Sequence, residues 1–516
     1  MTSRTLFQAL LSSAPYAHEV DTLAHTQTHL SYIILTGRYA YKVKKSVNLG
    51  FQDFTSLEKR KHYCELECEL NKILAPDLYL GVVPITGTES EPVMDGTGPA
   101  IEWAIKMHQF PDACLMSRVL EDNKLTLDIL DNLAQQLAQF HQKTEVCYDG
   151  IFGTPQKVYH SVSVNFEQLR RLLPAAADLQ KVGIIEAWAA QQFATLEPVL
   201  THRKAQGFTR SCHGDLHLGN LVLFQGRPTI FDRVEFNESF RWTEVMSDVA
   251  FLAMDLLYNN RSDAAYYFIN RYLEYTGDYE GLSVLWFYMS YRALVRAKVA
   301  CFIMEQNLDN PTLATECLTT GRRYLDLAIS FCQPRHPSLT ITHGIAGSGK
   351  SVGSEKWMIS EGAIRLRSDV ERKRLHSGIG PEALYSAQAS ARTFAHLHHL
   401  AHQILAMQMP VIVDATFLKR SDRAPFVELA KKLNCPFQIL SFPTPELKEL
   451  KNRLYHRMQL DNDPSDATYE VACEQQRLIE PFSEEEMEAL LCVIPSVTKN
   501  DTEAEVKGYA QEASAQ

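Results

Sequence analysis

The segments Ser31-Tyr-Ile-Ile-Leu35 and Arg38-Tyr-Ala-Tyr-Lys-Val43 are rich in β-branched and aromatic residues and are parted by Thr36-Gly37. Such a pair predicts the strands of a hairpin with the glycine in its turn. Further on, Ile101, Trp103, Ile105 and Met107 alternate with Glu102, Ala104, Lys106 and His108, which predicts a strand with one buried face. The period then changes: Leu127, Leu130, Leu133, Leu137 and Phe140 fall on the apolar stripe of a helix. Leu57–Leu74 and Leu282–Gln306 also read as helices, and no clear strand signal stands between Asn237 and Pro334. Strands first and helices afterwards predict a small sheet lobe joined near Gln109-Phe-Pro-Asp112 to a larger helical lobe.

A second change falls at Phe331-Cys-Gln-Pro-Arg-His-Pro-Ser338, where two prolines bracket a polar stretch. Beyond it the strand-like runs Leu339–His343, Ala363–Leu366, Val411–Val413 and Phe437–Leu440 alternate with helical ones, the pattern of a parallel α/β sheet. We therefore expect domains at 1–334 and 339–498, a linker at 335–338 and a flexible tail at 499–516. The 516 residues leave room for about three to four domains of ~150 residues, but two large lobes can take up that length.

Composition narrows the class without naming it. Hydrophobic residues make up 45% and charged residues 22%, which excludes collagen-like, disulfide-scaffold and largely disordered chains. A net charge of −11 advertises no nucleic-acid partner. The 11 cysteines are odd in number and form no Cys-x-x-Cys pair; Cys64 and Cys68 fit one helix face as buried thiols. No apolar run reaches the ~20 residues of a membrane span, and the apolar run near Met1 is too short for a signal peptide. The expectation is a soluble, reduced, cytoplasmic protein that binds no membrane.

Candidate chemistry concentrates in two places. The first is His213-Gly-Asp-Leu-His-Leu-Gly-Asn220, followed by Pro228-Thr-Ile-Phe-Asp-Arg-Val-Glu-Phe236. A carboxylate five residues before an amide is the spacing of a kinase catalytic loop. Asp215 can orient or deprotonate an attacking hydroxyl, and Asn220 and Asp232 can hold magnesium on the phosphates. Lys42, in Tyr39-Ala-Tyr-Lys42, stands where a phosphate-binding lysine is expected, with Lys44 on the same face as a rival. Glu65, Glu67 and Glu69 crowd the next helix; Glu67 is the chosen partner of the lysine. This part, from about Thr22 to Cys332, resembles the aminoglycoside phosphotransferase-like (choline-kinase-like) enzymes. The resemblance implies an α+β, protein-kinase-like bilobal fold and ATP-dependent phosphorylation of a small hydroxyl compound. Asp232-Arg-Val stands where protein kinases have Asp-Phe-Gly, and no extended glycine-rich loop surrounds Thr36-Gly37.

The second place is Leu339-Thr-Ile-Thr-His-Gly-Ile-Ala-Gly-Ser-Gly-Lys-Ser351, a strand, a Gly-x4-Gly-Lys-Ser loop and the start of a helix. Backbone N–H groups around Gly344, Gly347, Ser348 and Gly349 can wrap phosphates, Lys350 can reach the β and γ phosphates, and Ser351 can ligate magnesium. Asp369 ends a second strand and Asp414 a third. Arg453 and Arg457 follow on a helix; a solvated face is the favoured reading of Arg453, and Arg457 is balanced between that face and a phosphate-covering lid. The segment resembles small P-loop kinases of the gluconate kinase, zeta toxin and polynucleotide kinase type, hence an α/β P-loop NTPase domain. That resemblance implies that Asp369 activates an acceptor hydroxyl and that the arginines neutralise the transferred group; Asp414 reads as a magnesium ligand through water or as a strand-end helix cap, the former favoured. His396, His398, His399 and His402 read as a helix-surface cluster, and Ser483-Glu-Glu-Glu486 as a capped helix start.

The tandem order resembles bacterial fusions of these two domain types. The first expectation is a bifunctional Mg2+- and ATP-dependent kinase acting on small hydroxyl-bearing substrates, with ATP or GTP as donor. In a second reading the P-loop domain binds nucleotide and regulates the first site without catalysis. In a third, the C-terminal domain phosphorylates 5′-hydroxyl ends of polynucleotides, the one reading that brings in nucleic acid.

Overall fold

The computed structural model describes residues 4–28, 30–48, 53–378, 380–459 and 467–492. The expected tail at 499–516 lies outside the described residues. The chain divides into two compact units, Met1–Pro334 and Arg335–Gln516.

The first unit begins with an antiparallel sheet of β1 (Ala24–Gln27), β2 (Ser31–Leu35), β3 (Tyr39–Lys44), β4 (Tyr79–Gly87), β5 (Pro92–Met94) and β6 (Glu102–His108), in the order β1-β2-β3-β6-β4-β5. The β2–β3 turn is closed by Thr36 and Tyr39, and Gly37 takes φ +92°, which an L side chain resists. The expected one-sided burial of β6 is corrected by the structure. Glu102 and Ala104 are as buried as Ile105, because both faces are covered: Ile105 packs with Cys64 and Cys68 of the helix Leu57–Lys72, Ala104 packs in a separate cluster with Leu6 and Leu10, and Arg60 donates Nε to both Glu102 oxygens at 3.0 and 2.9 Å. That helix starts at Ser56, whose hydroxyl accepts from the Lys59 amide. Its buried stripe is Arg60, Cys64, Glu67, Cys68 and Asn71, spaced for one face but mostly polar. Each polar member must therefore meet a partner from elsewhere in the fold.

Beyond β6 the unit is mainly helical: Leu127–Lys143, Pro155–Leu172, Ala176–Ala205, Met246–Tyr258, Ser262–Thr276, Leu282–Gln306 and Pro311–Ser330. Between them run β7 (Thr209–Ser211), the hairpin β8 (Leu221–Phe224) and β9 (Arg227–Ile230), and β10 (Trp242–Glu244), which pairs with β7. β10 corrects the reading that nothing after Asn237 is a strand; three residues leave no periodicity to detect. Helix Met246–Tyr258 is buried from Met246 to Leu256, apolar but for Ser247, Asp248 and Asp255. It forms the centre of the helical lobe.

In the second unit β11 (Leu339–His343), β12 (Ile364–Arg367), β13 (Val411–Asp414), β14 (Phe437–Ser441) and β15 (Leu490–Cys492) make a parallel sheet in the order β12-β13-β11-β14-β15. The strands expected here differ by a residue or less at their ends, and β15 is added. Both neighbours of β11 come later in the chain, so the direction of winding switches beside its carboxyl end, where open α/β sheets bind ligands. Among the described residues no helix is long and apolar enough to cross a membrane.

Candidate active sites

In the first unit Lys42 and Lys44 lie two residues apart on β3 and so share a face. Lys42 Nζ reaches Glu67 Oε1 and Asp232 Oδ1, both at 2.7 Å; Lys44 Nζ reaches Glu67 Oε2 and Glu235 Oε1, both at 2.6 Å. Glu67, and neither Glu65 nor Glu69, meets the lysines, and it meets both at once. Burial disfavours the charged carboxylate of Glu67, but Lys42 and Lys44 outweigh it and bring its pKa down to about 2. Burial dominates at Glu235 and raises it to about 7, the outcome expected where three carboxylates share two ammonium groups. Burial also opposes the charge on Lys42, yet Asp232 and Glu67 carry its pKa well above the ordinary value.

Asp232 follows β9 with φ +61°, an uncommon conformation for a residue with a Cβ, and its amide donates to the Tyr79 hydroxyl at 3.3 Å. The Phe231 amide donates to the Asn220 carbonyl at 3.1 Å, so the Asp232 turn and the catalytic-type loop abut. Within that loop Asn220 Nδ2 donates to the Asp215 carbonyl at 2.9 Å and to Asp215 Oδ2 at 3.2 Å. His217 Nε2 stands 3.5 Å from Asp215 Oδ2. Burial raises the Asp215 pKa, but His217, Arg296 and His213 more than offset it and hold the carboxyl below the usual carboxylate range.

The loop is held from below by a helix that the motifs do not announce. Asp248 accepts from the His213 amide at 2.6 Å and the Gly214 amide at 2.9 Å, and Asp255 accepts from the Leu218 amide at 2.9 Å. Both carboxylates are buried, and each charge-assisted bond fixes a loop amide that would otherwise be unpaired. The signal in the sequence is the pair of acids inside the apolar run Ser247–Asp255, where an unpartnered carboxylate is costly.

A cavity of about 250 Å³ opens beside His108, Gln109, Phe110, Pro111, Cys114 and the β8 residues Leu223, Phe224 and Gln225, at the join of the two lobes. Gln109 Oε1 accepts from the Gly37 amide at 2.8 Å, so the β2–β3 turn is tied to the same join.

In the second unit the loop from Gly344 to Gly349 leads into helix Lys350–Glu361. Gly347 has φ +78°, and a Cβ there would lie 2.7 Å from Leu450. Lys350 Nζ donates to the Ile345 carbonyl at 2.7 Å, folded back over its own loop. Asp414, at the end of β13, accepts from Ser354 Oγ at 2.9 Å, one helical turn past Lys350. Register pairs Arg367 with Asp414, which sets Asp369 two residues beyond the same sheet edge, in the first turn of helix Ser368–Leu375. Ser351 is exposed on the first turn of its helix. Arg453 departs from the solvated-face reading: Nη1 donates to the Gly347 carbonyl at 3.3 Å, while Leu450 and Leu454 of its helix pack on Ile345 and Ala346. Arg457 is on that helix, Leu447–Gln459, with its side chain outside the described residues. In the histidine cluster, His398 stands edge-on to Phe426 and His396 lies 3.4 Å from Glu371.

With this geometry in place, the comparisons with known proteins divide along the same line. The Phosphotransferase enzyme family model matches residues 108–285, and an AAA domain model matches residues 339–482. The chain carries a phosphotransferase-family domain followed by a P-loop domain. Its first unit has the kinase-like build of sheet and helices, and the parallel sheet of its second is that of a P-loop NTPase. An uncharacterized protein of Mycobacterium tuberculosis and another of Mycobacterium bovis are each 29% identical over 403 residues, 76% of this chain and 78% of theirs. Among solved structures, a choline/ethanolamine kinase family protein from Mesorhizobium loti is 10% identical with a TM-score of 0.35, covering 60% of this chain and 94% of that one. A gluconokinase from Sinorhizobium meliloti is 19% identical with a TM-score of 0.26, covering 35% and 96%. The two kinase-type domains make phosphotransfer the supported activity.

Proposed function

We propose that the chain is a bifunctional Mg2+- and ATP-dependent phosphotransferase with one nucleotide site in residues 1–334 and another in 339–498, each acting on a hydroxyl group. The observation that carries this reading is the double contact of Lys42 with Glu67 and Asp232, which fixes an ammonium group on the Asp232 turn, itself bonded through Phe231 and Asn220 to the loop bearing Asp215. In this reading Lys42 receives the donor's phosphates, the lobe-join cavity takes the base, and Asp215 accepts or orients the acceptor's proton.

The donor set fits magnesium. The Asn220 amide nitrogen is spent on Asp215, which leaves its carbonyl oxygen, and Lys42 binds only one oxygen of Asp232. These are the hard oxygen donors magnesium prefers. When bound, the ion neutralises phosphate charge. Asp215, its carboxyl held below the usual carboxylate range, is ionised and available as a base over the neutral range.

For the second site, we assign the phosphates to the amides of Gly344, Gly347, Ser348 and Gly349 with Lys350, the metal to Ser351 and Asp414, the acceptor hydroxyl to Asp369, and Arg457 to the lid. The bond from Lys350 to Ile345 supports this, since a loop carbonyl stands in for phosphate oxygens as the ammonium's partner.

Acceptor-dependent turnover of the full chain with Asp215→Ala and with Lys350→Ala tests the reading. Each substitution is expected to abolish one activity and spare the other. A substrate phosphorylated at the normal rate by both variants contradicts it. A P-loop domain that binds nucleotide but has no acceptor-dependent turnover would instead make it a regulator.

A further inference from the structure

The acidic groups that pin the Asp215 loop are already spent, and one cation beside it is not. Both oxygens of Asp248 are taken by the His213 and Gly214 amides. Asp255 accepts from the Leu218 amide at 2.9 Å through one oxygen and from the Tyr324 hydroxyl at 3.4 Å through the other. Arg292 and Arg296 lie four residues apart on helix Leu282–Gln306 and therefore share a face. Arg292 is buried and committed, with Nη1 on the Gly214 carbonyl at 3.1 Å and Nε and Nη2 on Ser247. Arg296, one turn on, is half-buried. Among the described residues it makes a single hydrogen bond, from Nε to the Tyr324 hydroxyl at 3.4 Å, with its guanidinium 5.8 Å from the centre of the same ring. Two further hydrogen bonds, Tyr324 to Asp255 and Asp255 to Leu218, join it to the loop.

Its fork of four remaining N–H donors is thus held, through Tyr324 and Asp255, to the loop that bears Asp215, with no carboxylate of the described residues in ion-pair range. His217 Nε2 lies 3.5 Å from Asp215 Oδ2. A cationic acceptor would meet Arg296 and, among the described residues of this loop and its supporting helix, find no unspent carboxylate except Asp215 itself. An acceptor with a carboxylate or phosphate group would complete the fork.

We propose that the acceptor at the Asp215 site is an anionic hydroxy compound, a hydroxy acid or a phosphorylated polyol, whose anionic group is bound by Arg296. This rests on the kinase reading of that site. The pKa of Arg296 agrees: burial lowers it, and Tyr324, Asp255 and Asp215 raise it above its ordinary value, so the guanidinium stays charged.

The test uses the full chain carrying Lys350→Ala, which silences the second site. Acceptor-stimulated ATP turnover is compared across matched hydroxy acids and sugar phosphates, neutral polyols, and amino alcohols. Stimulation confined to the anionic set is expected. Arg296→Gln should raise the acceptor KM by about tenfold or more, the scale of a lost charge-assisted bond. Its kcat and its affinity for Mg-ADP should hold, and Arg296→Lys should recover part of the loss. Stimulation by amino alcohols or neutral polyols alone, or an unchanged KM in Arg296→Gln, overturns the proposal. Should no compound stimulate turnover, calorimetric titration of sulfate into protein saturated with Mg2+ and a non-hydrolysable ATP analogue decides: binding weakened by Arg296→Gln supports it, and no Arg296-dependent binding overturns it. Loss of the kinase reading itself would look different, as nucleotide binding insensitive to Asp232→Ala.

Discussion

Lys42 and Asp232 meet across 190 residues of chain, whereas Gly344 to Ser351 is a single uninterrupted stretch. The first arrangement is assembled from side chains: two lysines of one strand, a glutamate from a helix, and two acids from the segment after β9. Its loop is in turn pinned by carboxylates from a buried helix. The second is assembled from backbone, with positive-φ glycines and a helix start turning amides inward and Leu450 and Leu454 bracing the loop from outside. Chemistry and stability are therefore coupled in the first unit, because the charges that would handle phosphate also neutralise one another in the interior. In the second they are separable, because the loop's shape is set by angles and by apolar packing.

Five substitutions bear on that difference, in falling order of effect. Asp215→Asn removes the base but keeps the Asn220 region folded; turnover of the first site should fall by about 10²–10⁴ while that of the second is unchanged, as read by product assay with separate acceptors. Lys44→Met leaves Glu235 buried without its cation. It should cost the first unit about 3–5 kcal/mol in denaturant unfolding, and Lys42→Met, whose partner Asp232 is 38% exposed and can rehydrate, should cost clearly less. Equal losses would show that the pair is not coupled as described.

His343, directly before the phosphate loop, has its pKa lowered to about 4, first by burial and then by Arg423 and Lys350. The unfolded imidazole, near 6.5, binds its proton first, so stability is fully present above about pH 6.5 and declines as pH falls towards 4. Between pH 7 and 5 the second unit should lose about 2 kcal/mol, and His343→Phe should remove that dependence. Gly347→Ala should cost about 1–2 kcal/mol from its left-handed backbone and weaken nucleotide binding to the second unit, with no effect on the first.

The same contrast governs how much of the molecule is legible in its sequence. Residues 344–351 are legible because the motif is local, and the strands around it because parallel-sheet strands are continuous apolar runs. Asp215, Asn220 and Asp232 are legible from spacing. The choice among Glu65, Glu67 and Glu69 rests on a three-dimensional meeting that spacing cannot supply. Nothing in the spacing signals the double use of Glu67 by Lys42 and Lys44, or the entry of Glu235. The polar stripe of helix Leu57–Lys72 hides its buried face from hydropathy, and the Arg60–Glu102 pair makes β6 look half-exposed when it is covered. Arg453 reads as solvated for a similar reason: its partner is a loop carbonyl 106 residues away, which no helical spacing announces.

The central claim is that the chain holds two independent Mg-nucleotide sites. Calorimetric titration of Mg-ADP into the full chain, Asp232→Ala, Lys350→Ala and the double variant tests it most directly. The account predicts two sites in the unmodified chain, one remaining in each single variant and none in the double. A single site lost in one variant and untouched by the other would contradict it.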